Sequence, residues 1–164
     1  DLDTEKVSAL SHMLTLNQIQ PICVITPTAS WSTAPLEQTM TAPKILAFAS
    51  STRKDSFNKK LVKIAAVAAR SAGAEVTLID LRDLELPLFD QDFEEEHGHP
   101  PGSLRLKELM NEHDGLLISS PEYNSSISGV LKNAIDWASR KATSDEPALH
   151  SFTGKVAAIM SASP

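Results

Sequence analysis

From residue 44 onward, short apolar runs alternate with stretches that have helical periodicity. Strand-like runs occupy positions 45–49, 75–81, 116–118 and 155–160. Apolar residues that do not alternate with polar ones are typical of a parallel strand buried on both faces. Each of the first three runs is followed by a stretch in which apolar residues recur at helical spacing. The pattern predicts a doubly wound α/β domain with right-handed crossovers and helices on both sheet faces.

The first helix is predicted to begin at Ser56, the natural N-cap, and to end at Gly73, which suits the C′ position. Its inward face is predicted from residues at helical spacing, namely Phe57, Leu61, Ile64, Ala65 and Ala68. Asn58 and the lysines fall on the other side. We therefore expect Lys54, Lys59, Lys60 and Lys63 to form a solvated face.

The second predicted helix spans 104–113, with Leu106, Leu109 and Met110 facing inward. It follows a long connection, 82–103, that is rich in acidic residues and proline. Such a length is unusual between a strand and a helix, which indicates a functional or flexible segment. In the third helix, Leu131 and Trp137 are expected in the core.

Residues 1–39 differ in character from the rest, since three prolines punctuate a Ser/Thr-rich stretch there. We expect a poorly ordered N-terminal extension, with the compact domain occupying 40–164. The scarcity of Arg and Lys in this extension disfavours an organelle transit peptide.

Charge and cysteine content exclude several classes of function. The net charge of -6 disfavours nucleic-acid binding, which requires a basic face. The single cysteine, Cys23, excludes an internal disulfide and indicates a reducing compartment, so a cytoplasmic location is expected. No apolar stretch reaches the ~18 residues of a membrane span, so no membrane partner is expected.

The first strand runs directly into a segment suited to an anion. Hydroxyls at 50, 51, 52 and 56, the guanidinium of Arg53 and the N-terminus of the following helix all lie between strand and helix. A plain capped helix with an exposed arginine explains the same residues equally well. Two further polar segments, 119–124 and 161–164, also follow strands. Because ligands bind at the carboxyl ends of parallel strands, we expect the three loops to converge.

Other chemistries are disfavoured. His97 and His99 lie in an acidic loop with no helix or strand predicted to hold them as metal ligands, so a solvated loop is favoured and no metal is expected. Ser119 and Ser120 lack the Gly-x-Ser-x-Gly elbow of hydrolases. Neither the Walker A motif nor the Gly-x-Gly-x-x-Gly fingerprint is present.

Two motifs carry a family resemblance over roughly 43–164. The segment SSTRKDSFN at 50–58 resembles the Gly-Ser-x-Arg-x-x-Ser-x-Asn phosphate loop of the NADPH-dependent FMN reductase family. The segments PEYN at 121–124 and GVLKNAIDW at 129–137 resemble its second signature. Residues 161–164 match the start of its third flavin loop.

The resemblance implies a flavodoxin-like fold with strand order 2-1-3-4-5, a fold whose FMN site lies at the switch between the first and third strands. It implies that Ser51, Arg53, Ser56 and Asn58 hold the FMN phosphate, with Ser50 and Phe57 in the same cofactor-binding segment. Ring contacts would come from Pro121, Glu122, Tyr123, Asn124, Ser161 and Ser163.

The implied reaction passes a hydride from NAD(P)H to bound FMN and then to a small-molecule acceptor: a quinone, an azo compound, a metal oxyanion or free flavin. The cofactor performs the chemistry, so no catalytic side chain is expected. The family usually forms homodimers or homotetramers, and the acidic segment 83–96 is a candidate for the rim of that interface.

The sequence departs from the family pattern at three positions. Ser50 and Ser125 stand where glycine is usual, and Ser128 stands where proline is common. A fifth strand would normally follow residue 164, and without it the fourth strand becomes an apolar edge. The alternatives are a flavodoxin-type electron carrier, which Arg53 and the second signature disfavour, and a truncated fragment that binds little FMN.

Overall fold

The computed structural model describes residues 41–162. The predicted extension at 1–39, the domain boundary at Met40 and the candidate ring contact Ser163 lie outside the described residues. No helix within the described range is both long and apolar enough to cross a bilayer.

A parallel sheet of four strands forms the centre of the fold, in the order β2-β1-β3-β6. This order confirms the first four positions of the predicted 2-1-3-4-5 arrangement, with β6 as its fourth strand. A short antiparallel hairpin, β4–β5, lies outside this sheet. The strands are β1 Lys44–Ala49, β2 Glu75–Asp80, β3 Gly115–Ser119, β4 Glu122–Tyr123, β5 Ser126–Ile127 and β6 Val156–Met160.

Within residues 41–162, four α-helices connect the strands: α1 Phe57–Ser71, α2 Gln91–His97, α3 Pro101–Glu112 and α4 Gly129–Ser139. Two 3₁₀ turns lie at Leu81–Leu84 and His150–Phe152. The connection over 82–103, predicted to be a functional or flexible segment, contains α2 and the start of α3. Asp90 begins α2 by accepting hydrogen bonds from the N–H groups of Asp92 and Phe93.

The core has one cluster on each face of the sheet, as a doubly wound fold requires. On one face, Leu46 and Phe48 of β1 pack with Leu106 of α3 and Leu131 of α4. On the other face, Ala47 and Ala49 of β1 pack with Val62 and Ala66 of α1. The predicted inward positions of α3 and α4 are confirmed, since the side chains of Leu106, Leu109, Met110, Leu131 and Trp137 are buried.

The predicted inward face of α1 is wrong. Asn58, Val62 and Ala66 are buried against the sheet, whereas Phe57 is 67% exposed and Ile64 is also exposed. The helix carries apolar residues around most of its circumference, so periodicity could not single out the face that packs. Its termini agree with prediction, because Ser56 is the N-cap and Gly73 follows the C-cap with a φ of +95°.

Among the described residues, β6 pairs only with β3. The side chains of Val156 and Ile159 are exposed on it. Within this range β6 is therefore an edge strand with exposed apolar side chains.

Candidate functional site

Three polar segments meet at the carboxyl ends of β1, β3 and β6, as predicted. The N–H of Ser50 donates to the carbonyl of Ser119 at 2.9 Å, which joins the exits of β1 and β3. The N–H of Ser120 donates to the carbonyl of Met160 at 2.9 Å, which joins β3 to β6. These bonds continue the sheet ladder into the loops and fix the loops relative to one another.

Asn58, in the first turn of α1, ties the same three segments together. Its side chain is 3% exposed. Its Oδ1 accepts from the Ser119 hydroxyl at 2.7 Å and from the N–H of Ala162 at 3.0 Å. Its Nδ2 donates to the Ala162 carbonyl at 3.3 Å. The side-chain amide of Asn58 is therefore hydrogen-bonded to protein groups and fixes the position of the loops.

The segment between β1 and α1 has an anion-binding composition at its surface. Ser50, Ser51 and Ser56 are buried, while Thr52 and Arg53 are exposed. Ser56 is the N-cap by position, but its hydroxyl makes no capping bond. The first turn of α1 contains no acidic residue. Arg53 forms no salt bridge within 41–162, so its charge faces solvent.

Two buried hydroxyls in these loops lack a hydrogen-bond partner. They are the Oγ atoms of Ser50 and Ser161, and no group of the described residues satisfies them. A buried polar atom without a partner is costly and rare in a folded protein. A polar ligand with several acceptor atoms suits both hydroxyls, and a phosphate suits the neighbouring Arg53 and helix N-terminus. The residues present therefore fit a phosphorylated cofactor such as FMN.

The segment predicted as the second polar loop folds back as a tight hairpin. Glu122 pairs with Ile127, and Tyr123 with Ser126. The two turn residues, Asn124 and Ser125, have φ values of 54° and 62°. Two consecutive positive φ angles are typical of a type I′ turn. The hairpin leaves Glu122 and the ring of Tyr123 exposed at the rim of the site, with Pro121 partly buried beside them.

Two residues that support the site were not predicted. Arg82, in the 3₁₀ turn after β2, donates from Nη2 to the carbonyl of Thr52. Ser128 donates from Oγ to the carbonyl of Ser50 at 2.7 Å. Neither contact has a local sequence signal, since the partners are 30 and 78 residues apart.

An ion pair lies beside the anion-binding segment, at the end of β2. Lys59 Nζ is 2.5 Å from Asp80 Oδ2. Burial acts to raise the pKa of Asp80, but the hydrogen bond from Lys59 and that from the N–H of Arg82 outweigh it and hold this pKa below its usual value. The prediction that the lysines form a solvated face is therefore wrong for Lys59.

The histidines are placed differently from the prediction. His97 belongs to α2 and stacks on Phe93. His99 is largely buried, with Nδ1 2.9 Å from Ser103 Oγ and Nε2 3.0 Å from the Lys141 carbonyl oxygen. Its ring is engaged in joining the start of α3 to the end of α4, so the description as a solvated loop is wrong for His99.

A doubly wound parallel sheet of this strand order, with polar loops converging at its carboxyl edge, defines a flavodoxin-like fold. The family model for NADPH-dependent FMN reductase matches residues 43–164. The chain belongs to the NADPH-dependent FMN reductase family.

Relatives and solved structures agree with this assignment. An NAD(P)H-dependent FMN reductase of Pseudomonas aeruginosa is 39% identical over 120 residues, which cover 73% of this chain and 60% of that protein. A 2-hydroxy-1,4-benzoquinone reductase of a Burkholderia species is 43% identical over 99 residues, covering 60% of this chain and 51% of that protein. The flavoenzyme FerB, an NAD(P)H:(acceptor) oxidoreductase from Paracoccus denitrificans, has a TM-score of 0.59 at 33% identity, covering 73% of this chain and 60% of its own. The chain thus spans between half and two thirds of the length of these proteins.

Proposed function

We propose that the protein is an NAD(P)H-dependent flavin oxidoreductase that holds FMN at the three loops and reduces a small-molecule acceptor. The observation that carries the proposal is the set of unpaired polar groups there. The hydroxyls of Ser50 and Ser161 are buried without partners among the described residues, and Arg53, which forms no salt bridge with those residues, presents a cation nearby in sequence. Family membership supplies the identity of the ligand that would use them.

In this proposal, Ser51, Arg53 and Ser56 bind the FMN phosphate together with the free N–H groups of the first turn of α1. Asn58 holds the three loops in place through its bonds to Ser119 and Ala162. Asn58 thus acts through the loops in addition to any contact with the phosphate, and the exposed Phe57 would contact the ligand only at its margin.

The ring-binding contacts are proposed for the hairpin and for the segment after β6. Pro121, Glu122, Tyr123 and Asn124 would border one edge of the isoalloxazine. Ser161 and Ser163 would lie along the other edge. The type I′ turn fixes the backbone conformation of the hairpin that would present these groups.

The chemistry that FMN supplies when bound is the transfer of hydride equivalents from NAD(P)H to an acceptor. The chain's own residues bind and orient the reactants, and no side chain is required as a general acid or base. Quinones are the favoured acceptor class, since relatives are named quinone reductases. Azo compounds, metal oxyanions and free flavin are further acceptors of the same reaction type.

The proposal includes a homodimeric or homotetrameric assembly in the cytoplasm. The side chain of Leu88 is 83% exposed, and Leu104 and Ile127 are also exposed. Leu88 lies in the acidic segment 83–96, the segment proposed for the rim of the interface. The cytoplasmic location rests on cysteine usage, because one cysteine in 164 residues is typical of a reducing compartment.

An anaerobic titration tests the proposed function. The protein is reconstituted with FMN, freed of excess flavin, and titrated with NADPH and NADH while the flavin absorbance is followed. Bleaching at about one equivalent of NAD(P)H, followed by recovery on addition of a quinone, is the expected result. Bound flavin that resists bleaching contradicts the reductase and favours the electron carrier, whereas failure to retain FMN contradicts both.

A further inference from the structure

Arg82, in the 3₁₀ turn after β2, holds the segment between β1 and α1 from outside that segment. Its Nη2 donates to the carbonyl of Thr52. Because a guanidinium stays charged at any ordinary pH, this contact is a charge-assisted hydrogen bond to a backbone carbonyl. The contact determines the direction in which the Thr52 carbonyl points.

The peptide bond between Thr52 and Arg53 transmits that direction to the N–H of Arg53. The described residues contain no cis peptide bond, so the carbonyl of one residue and the N–H of the next point in opposite directions. The N–H of Arg53 forms no hydrogen bond with residues 41–162. Holding the Thr52 carbonyl at Arg82 therefore turns a free backbone donor of the loop away from Arg82.

The strand order relates that donor to the other two polar segments. Arg82 follows β2, which pairs with β1 on the side opposite β3 and β6. The polar segments at 119–124 and 161–162 follow β3 and β6, on the other side of β1. An N–H turned away from β2 is thus turned toward the side of the sheet where the three polar segments meet.

Arg82 is itself held in place by Asp80 and Lys59. Oδ1 of Asp80 accepts from the N–H of Arg82 at 3.1 Å and so begins the 3₁₀ turn. Oδ2 of Asp80 lies 2.5 Å from Nζ of Lys59, in the first turn of α1. The contacts form a closed ring, because Lys59 leads back along the chain to Thr52. Both ends of the segment 52–59 are therefore fixed to the end of β2.

We propose that Arg82 is a positioning residue for the FMN phosphate, which turns the N–H of Arg53 toward the phosphate without touching the phosphate itself. A loop that presents N–H groups to an anion points its carbonyls elsewhere, and those carbonyls need donors from outside the loop. Ser128 is such a donor for the carbonyl of Ser50, and Arg82 is the donor for that of Thr52. This inference rests on the proposed binding of FMN, and it assigns the shape of the phosphate loop to a residue outside the three polar segments.

Fluorescence titration of the full chain with FMN and with riboflavin tests this role. Riboflavin lacks the phosphate, so its affinity reports on the ring-binding contacts and on the general integrity of the site. Arg82→Met removes every donor of the side chain and keeps most of its length. We expect this variant to raise the Kd for FMN about tenfold and to leave the Kd for riboflavin within about twofold of its original value.

The conservative variant Arg82→Lys tests for rescue. One N–H donor of Arg82 reaches the Thr52 carbonyl, and an ammonium group can supply one donor as well. The Kd of Arg82→Lys for FMN should therefore stay within about threefold of that of the unaltered protein.

Arg70→Met is the matched control. Arg70 is exposed like Arg82, and its Nη2 donates to a backbone carbonyl, that of Val76, at 2.7 Å. Val76 lies near the amino end of β2, at the opposite edge of the sheet from the three polar segments. Arg70→Met should bind both flavins like the unaltered protein. Unfolding midpoints establish that all variants are folded.

Amide NMR of the protein without flavin gives a readout that is independent of ligand binding. Loss of the hydrogen bond to the Thr52 carbonyl should shift the amide resonance of Arg53 in Arg82→Met. In Arg70→Met the same resonance should keep its position.

The inference is overturned if Arg82→Met binds FMN as tightly as the unaltered protein, if it weakens riboflavin as much as FMN, if Arg82→Lys binds FMN no better than Arg82→Met, or if the Arg53 resonance does not move. Its failure is distinguishable from failure of the proposed function. Phosphate-specific weakening in Arg82→Met, in a protein whose bound flavin is not bleached by NAD(P)H, supports the inference and contradicts the reductase. Bleaching by NAD(P)H together with unaltered FMN affinity in Arg82→Met does the reverse.

Discussion

The hydroxyl of Ser128 donates to the carbonyl of Ser50 across 2.7 Å and accepts from the N–H of Leu131 at 3.2 Å. One buried side chain thus caps α4 and anchors the start of the proposed phosphate loop. The family pattern commonly has glycine at 50 and proline at 128, so the contact joins two positions at which this sequence departs from it. Ser50 does not adopt a positive φ, so serine fits there without backbone strain.

Ser128→Ala should lower the free energy of unfolding by about 1–2 kcal/mol, because it removes a helix cap and leaves the carbonyl of Ser50 without this donor. Urea denaturation measures the change. Ser144→Ala, at an exposed serine, is the control and should change stability by less than about 0.5 kcal/mol. Proline at position 128 is compatible with the φ of -66°, but Ser128→Pro also lacks the hydroxyl that donates to the carbonyl of Ser50. Equal stability of Ser128→Ala and the unaltered protein would contradict the anchoring role.

Asn58→Ala is expected to destabilise the protein by about 3 kcal/mol, because the hydroxyl of Ser119 and the N–H of Ala162 lose their acceptor in a buried site. Chemical denaturation gives the stability, and FMN titration gives the effect on the cofactor. Lys60→Ala, two positions along the same helix and exposed, should leave both unchanged. A variant of Asn58 with weakened FMN binding but normal stability would show that Asn58 acts on the ligand alone.

The sheet was predictable because its signals are local. The continuous apolar run of β1 can be satisfied only by burial on both faces, and Leu46, Ala47, Phe48 and Ala49 are all buried. The carboxyl edge of the sheet was also predictable, because the polar residues that form it directly follow the apolar strands in the sequence.

The supporting contacts of the site were not predictable because they join distant positions. Asn58 lies 61 residues from Ser119 and 104 from Ala162, and its burial follows from those bonds rather than from helical periodicity. Helix α2 escaped prediction for a different reason, since it buries no residue and is mainly acidic. Tertiary contacts hold it in place, with Glu94 bound to Arg140 at 2.8 Å.

Arg53→Ala should raise the Kd for FMN by about 10- to 100-fold, the effect of losing a charge-assisted contact to a phosphate. Quenching of FMN fluorescence on binding measures it. Stability should change by less than about 0.5 kcal/mol, because Arg53 is exposed and forms no salt bridge with the described residues. Arg105→Ala, at an exposed arginine of α3, is the control. Unchanged FMN affinity in Arg53→Ala rules out its proposed role.

Ser125→Gly should raise the free energy of unfolding by up to about 1 kcal/mol. Ser125 has a φ of 62°, which costs an L-residue energy that glycine does not incur, although glycine loses more entropy on folding. Asn124→Gly is the matched comparison. Because asparagine tolerates a φ of 54° better than serine does, this variant should gain less free energy of unfolding than Ser125→Gly. Thermal unfolding ranks the variants. A loss of stability in Ser125→Gly would contradict the assignment of strain to this turn.

The ion pair between Lys59 and Asp80 should contribute stability that depends on pH. Because the folded-state pKa of Asp80 is lowered, the unfolded chain binds its proton more readily than the native protein does. The contribution is therefore fully present above the ordinary aspartate pKa of 3.8 and is lost as pH falls through the folded-state value. Denaturant unfolding between neutral and acidic pH measures it.

Asp80→Asn isolates this contribution, since the amide oxygen can still accept from the N–H of Arg82 while the charge is removed. We expect Asp80→Asn to be less stable than the unaltered protein at neutral pH, with the difference shrinking toward zero as pH falls below 3.8. Asp145→Asn, at an exposed aspartate without a salt bridge among the described residues, should follow the pH profile of the unaltered protein. A stability difference between Asp80→Asn and the unaltered protein that stays constant with pH would show that the ion pair with Lys59 is not its source.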